Sequence, residues 1–108
     1  MVSRMIEVKV SYDTDGRFTA FNVSNHGDSY VCSAVSMLVI NTINCIELMT
    51  DEPFTCDIEN EQSINFMLNK TRGEKAGLLL DAMLHGLKSV KEQYPEQIKL
   101  LTAQNAVL

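Results

Sequence analysis

The sequence predicts an α+β domain: an antiparallel β-sheet with two helices packed against it, in the order ββαββα. Three observations carry that expectation. Two pairs of short segments alternate apolar with polar residues, as half-buried strands do. Two longer segments repeat their apolar residues at steps of three and four, as amphipathic helices do. No linker and no internal repeat interrupts the series, so residues 1–108 read as one domain.

The first strand is "MIEVKVSY", where Ile6, Val8 and Val10 alternate with Glu7, Lys9 and Ser11. "DTDG" follows, and Asp15-Gly16 is a hairpin signal because both residue types tolerate positive φ. "RFTAFNVS" is the return strand, with Phe21 and Val23 on one face. From about Ser29 to Thr50 the period changes. Val31, Val35, Leu38, Thr42, Cys45, Ile46 and Met49 mark an apolar helix face, which Met37 and Leu48 widen. Ser33, Ser36, Asn44 and Glu47 lie opposite, interrupted by Ile40. Asp28 and Ser29 are both suited to cap this helix, because their side-chain oxygens accept from unpaired backbone N–H groups.

"PFTCDIE" and "SINFML" alternate again and are joined by "NEQ", which predicts a second hairpin. "NKTRGEKAG" is a polar connection in which Lys70, Arg72 and Lys75 offer charge for an acidic group. The second helix starts near Gly73 to Glu74. It presents Ala76, Leu79, Leu80, Met83, Leu87, Val90 and Tyr94, and Pro95 ends it. "QIKLLTA" is a candidate for a short final strand, and the tail to Leu108 is expected to fray.

Composition narrows the function classes. Hydrophobic residues make up 45% of the chain, enough for a core without staples. A net charge of −5 and a pI near 4.9 disfavour nucleic acid as the main ligand, since phosphate recognition relies on clustered Lys and Arg. The opening "MVSRMIEVKV" lacks the apolar stretch of a signal peptide, and no run approaches the roughly 18 apolar residues of a membrane span. A soluble protein of the cytoplasm, without membrane contact, is expected. Three cysteines, an odd number with no CxxC, suit free thiols better than a disulfide framework or a zinc site.

The chemistry is concentrated in "NHGDSYVCSAVS", Asn25 to Ser36. Cys32 falls in the first turn of the first helix, where free N–H groups and the helix dipole favour a thiolate. Ser36 stands one turn further on the same side. His26 lies on the preceding loop, near enough in sequence for its imidazole to fold back on the sulfur as base. Helix-start amides can stabilise an oxyanion. The competing reading is structural: a cysteine near a helix start is most often a small buried hydrophobe, and Asp28 and Ser29 suit capping better than catalysis. Cys45 and Cys56 follow the apolar pattern and are read as core, as are Met37, Met49, Met67 and Met83. His85 lies off the apolar face of the second helix and is expected in solvent.

"VCSAVS", Val31 to Ser36, at the start of an apolar helix that follows a histidine-bearing loop, resembles the ribosomal-processing cysteine protease family, Prp. The similarity extends over the opening hairpin, the "SMLVINTINCIELM" helix, the second hairpin and the "LLLDAMLHGLKSVKEQYP" helix, nearly the whole chain. It implies a cytoplasmic, homodimeric endopeptidase that uses a Cys–His dyad and no metal or cofactor. Its substrate would be the N-terminal extension of a large-subunit ribosomal protein. By position, the resemblance makes Cys32 the nucleophile and His26 the base, with Ser36 and Gly27 matching a family serine and glycine. The sequence departs from the family in three places. Asn25-His26-Gly27 stands for the usual Gly-His-Ala. Ser29 stands where an aspartate is usual, with Asp28 one place earlier. The stretch from His26 to Cys32 is several residues shorter. Those departures motivate a second expectation, a non-catalytic homodimer that binds a ribosomal protein with a degenerate loop.

Overall fold

The structure is a computed structural model that describes residues 5–24, 30–59, 63–70, 72–104 and 106–108. Its elements are β1 (Ile6–Tyr12), β2 (Phe18–Ser24), α1 (Tyr30–Met49), β3 (Phe54–Glu59), β4 (Ser63–Leu68), α2 (Glu74–Gln93) and β5 (Ile98–Thr102). The α+β class and the ββαββα order stand, and "QIKLLTA" does supply a final strand.

The Asp13 N–H donates to the Arg17 carbonyl at 2.8 Å and closes the first hairpin around residues 14–16, with Gly16 at φ +77°. Asp13 organises that loop: its Oδ1 accepts from the backbone N–H of Asp15 at 2.9 Å and of Arg17 at 3.0 Å. The β1–β2 register then shifts between Ser11 and Tyr12, so that Tyr12 pairs with Phe18. That extra residue reverses the alternation locally. Phe18 and Phe21, three apart, therefore both enter the core, at 6.1 Å between ring centroids.

The strands form one five-stranded sheet in the order β3-β4-β2-β1-β5. All pairings are antiparallel except β1 with β5, which run parallel with Ile6 opposite Ile98. The final strand thus makes the sheet mixed. Both helices act as crossovers. α1 carries the chain from β2 over β4 to β3; α2 carries it from β4 to β5. The two crossovers run to opposite edges from strands of opposite direction. Reversing both directions leaves the favoured right-handed side unchanged, so both helices cover the same face and pack on each other.

Between helices and sheet lies the core, which includes Val8, Val10, Val23, Ile64, Phe66, Ile98 and Leu100 from the strands and Leu80, Met83 and Leu87 from α2. On α1 the buried residues are Val31, Cys32, Val35, Val39, Thr42, Ile43 and Ile46. The apolar face is therefore rotated from the expected one: Val39 and Ile43 join it, and Cys45 is only half-buried. Met49, Met37 and Leu48 are exposed, at 64%, 70% and 81%, and Met67 is 53% exposed. Of the four methionines read as core, only Met83 is core. The reason is geometric. A helix between a neighbouring helix and a sheet needs one apolar flank toward each, and the remaining arc of α1 meets neither; Met67 lies on β4, where alternation turns it to the face opposite Phe66 and Leu68.

By length and composition alone α1 would suffice to cross a membrane, contrary to the sequence expectation; in the fold its apolar flank is core wall. The tail does not fray. Leu108 N–H donates to the Leu100 carbonyl at 3.1 Å and Leu101 bridges Val107, so the last residues lie along the outer edge of β5. The turn "NEQ" falls at residues 60–62, outside the described residues.

Candidate active site

Cys32 is the third residue of α1, in its first turn, as the sequence led us to expect. The first turn of any α-helix has backbone N–H groups without intrahelical partners, which attract negative charge. Val31 and Val35 anchor the turn against the core, at 1% and 0% exposure. Cys32 itself is 3% exposed and belongs to the same apolar cluster. Ser36, one turn on, is half-buried. Cys32 and Ser36 thus share one flank of α1, at the boundary between core and surface.

His26, Gly27, Asp28 and Ser29 lie outside the described residues, as does Asn25. Their chain neighbours are fixed. β2 ends at Ser24 and α1 begins at Tyr30, so the histidine belongs to a five-residue connection that delivers the chain directly into the first turn carrying Cys32.

The other two thiols have different surroundings. Cys45 is half-buried, with its Sγ 3.9 Å from Asn41 Oδ1. Cys56 is half-buried on β3; burial pushes its thiol pKa up and the adjacent Asp57 carboxylate pushes it further. Neither is the full core residue expected from the pattern. His85 is exposed on α2, as expected. Arg72 does meet an acid, but within the chain: its guanidinium grips Asp81 through two bonds, at 3.2 and 2.5 Å, and donates to the Phe18 carbonyl at 3.0 Å. Among the described residues no group of three or more His, Cys, Asp or Glu is placed to hold a metal.

Sequence reasoning missed two features away from Cys32. Glu52, between α1 and β3, caps α2 from afar: its carboxylate accepts from the Gly73 N–H at 2.5 Å and the Ala76 N–H at 2.8 Å. A local capping search cannot find a partner 21 residues upstream. The second is a cavity of about 380 Å³ on the helix-free face of the sheet, lined by Lys9, Ala20, Asn22, Asp57, Asn65 and Met67 among others. It lies across the sheet from α1 and is separate from Cys32.

Comparison with known proteins places this geometry. The family model for cysteine protease Prp matches residues 5–99. The ribosomal processing cysteine protease Prp of Staphylococcus aureus is 27% identical over 103 residues, covering 89% of this chain and 97% of the relative. The crystal structure of the S. aureus protease with a covalently linked product peptide superposes with a TM-score of 0.85 at 25% identity, over 91% of this chain and 99% of the other. Its complex with a substrate peptide gives 0.84 at the same identity and coverage. A Streptococcus mutans structure at 22% identity shares the fold, with a TM-score of 0.81 over 91% of this chain and 96% of the other. With the family model spanning β1 to β4, both helices and the start of β5, this chain belongs to the cysteine protease Prp family.

Proposed function

We propose that this protein is a cytoplasmic cysteine endopeptidase that removes the N-terminal extension of a large-subunit ribosomal protein. The observation that carries the reading is Cys32 in the first turn of α1, directly after the His26-bearing connection, in a fold similar to a protease solved with its substrate peptide. In this reading His26 accepts the Cys32 thiol proton. The thiolate attacks the scissile carbonyl, and unpaired α1 amides stabilise the tetrahedral oxyanion. The imidazolium returns its proton to the leaving amine, leaving an acyl-enzyme that water hydrolyses with His26 again as base. Ser36, one turn from the sulfur, orients the site. By sequence, Gly27 matches a family glycine, and Asp28 and Ser29 are residue types suited to capping. The reaction calls for no metal or cofactor.

A homodimer belongs to the same proposal. Tyr30, Ala34, Met37, Asn41, Asn44 and Leu48 form an exposed, uncharged stripe at heptad spacing along α1, suited to a second helix. The test is incubation with a peptide spanning the extension's junction, read by mass spectrometry. Cleavage that disappears in Cys32→Ala supports the reading; an intact peptide with the native protein overturns it.

One observation favours a second reading. Cys32 is 3% exposed, and the connection before it has only five residues. A non-catalytic homodimer that binds a ribosomal protein would show peptide binding without cleavage in the same assay.

A further inference from the structure

The two edges of the sheet are treated differently. At one edge the chain's own last residues lie along β5: Thr102 N–H donates to Ala106 and Leu108 N–H to Leu100. At the other edge β3 pairs with β4 alone. Asn69 N–H donates to the Pro53 carbonyl at 2.9 Å, which fixes the phase of that ladder. Hydrogen-bonded pairs then recur at Thr55–Met67, Asp57–Asn65 and Glu59–Ser63. The N–H and C=O groups of Phe54, Cys56 and Ile58 therefore point away from the sheet, and among the described residues nothing pairs with them. Exposed edges of this kind template the addition of another strand.

Charge selects the occupant. From Phe18 to Asn69 the chain has seven carboxylates, between Asp28 and Glu61, and no Lys or Arg. Three of them, Asp51, Asp57 and Glu59, lie on or beside β3, are exposed, and form no ion pair with any described residue. A second copy pairing through β3 would set these carboxylates against its own, with no base between them. Like charges across a strand pair are destabilising. A basic strand meets no such penalty.

We infer that the free edge of β3 is a docking site for a basic, extended polypeptide segment, which adds as a sixth strand alongside Phe54–Ile58. Its backbone bonds to the three outward-facing residues, and its Lys or Arg side chains meet Asp57 and Glu59. This site is distinct from Cys32 and does not require that the protein cleave peptides.

The probe is a ten-residue peptide alternating lysine with threonine and valine, against a control with glutamate for each lysine. Both are added to the Cys32→Ala full chain, so that cleavage cannot confuse the result. Binding is followed by fluorescence anisotropy and by amide hydrogen exchange. The lysine peptide is expected to slow exchange at the Phe54, Cys56 and Ile58 amides by about tenfold or more. Thr55, Asp57 and Glu59, already bonded to β4, stay unchanged. Reversing Asp57 and Glu59 to lysine weakens binding about tenfold, and salt weakens it in the native protein. Ile58→Pro, which removes one outward N–H without touching the β4 ladder, weakens it as well. Equal binding of the two peptides, protection elsewhere, or protection of the three amides that rises with protein concentration in the absence of peptide would each overturn the inference. The last outcome would assign the edge to a second copy.

Discussion

Three thiols on one short chain occupy three environments, and the difference is a matter of single neighbours. Cys32 sits within the core at the mouth of a helix. Cys56 sits on an edge strand, where burial first and Asp57 second hold its thiol protonated above the usual range. Alkylation of Cys56 by iodoacetamide, followed by mass spectrometry across pH, is therefore expected to need higher pH than an ordinary surface thiol. Asp57→Asn should move the profile toward lower pH, because it removes a negative charge that opposes the thiolate. It should not restore it fully, since burial remains. For Cys32 the decisive substitution is alanine. It removes one buried sulfur from the apolar cluster, so stability should change by about 1 kcal/mol in chemical denaturation, and on the proposed function peptide cleavage should be lost.

Elements are held to each other by side chains that no local pattern announces. Glu52 closes the N-terminus of α2 with two backbone bonds. Its replacement by alanine should cost about 1 kcal/mol in urea unfolding, the usual cost of a lost cap. Arg72 ties the start of β2 to α2, through Phe18 and Asp81. Its side chain is 13% exposed, and Arg72→Ala should cost about 1–3 kcal/mol, more than an open surface pair would. In the first hairpin, two backbone N–H groups hold the Asp13 carboxyl below the usual carboxylate range, with the Arg17 amide the larger cause. A carboxyl whose folded pKa is lowered contributes stability that is present above its unfolded pKa. That contribution is lost as the pH falls through the lowered folded value. Thermal unfolding followed from about pH 5 downward should thus fall less steeply in Asp13→Asn than in the native protein.

At the largest scale the two helices and the sheet share one core, and α1 and α2 approach closely at Gly86. A Cβ placed at Gly86 would lie 2.9 Å from Leu38 Cδ2, the end of a half-buried side chain that must shift, so Gly86→Val should cost about 1 kcal/mol in urea unfolding. Leu80 has no exposed surface in the middle of α2, and Leu80→Ala should cost about 2–5 kcal/mol by cavity formation. Sheet topology also positions Cys32. The β2-to-β3 crossover places the N-terminus of α1, and so Cys32, immediately after the end of an interior strand. It also leaves β3 as an outer strand beyond the core, which is why Ile58 is 56% exposed although it alternates correctly with Phe54 and Cys56.

Local patterns in the chain were enough to read the elements and the position of the candidate nucleophile, Cys32. Period-two alternation fixes which side of each strand is apolar, period 3.6 fixes each helix, and both are local properties of the chain. The same patterns also placed Cys32 in the first turn of α1, because a helix start is a local event. The rest was settled by folding. Whether Met37, Met49 and Met67 are buried depends on whether another element lies over them, and none does. Whether β5 runs parallel or antiparallel depends on the path of α2. The α2 cap depends on a glutamate that folding brings from 21 residues away. Phe18 reaches the core through a bulge that alternation alone would deny it. Each of these turns on contacts between segments distant in sequence, and periodicity within a segment carries no information about its neighbours.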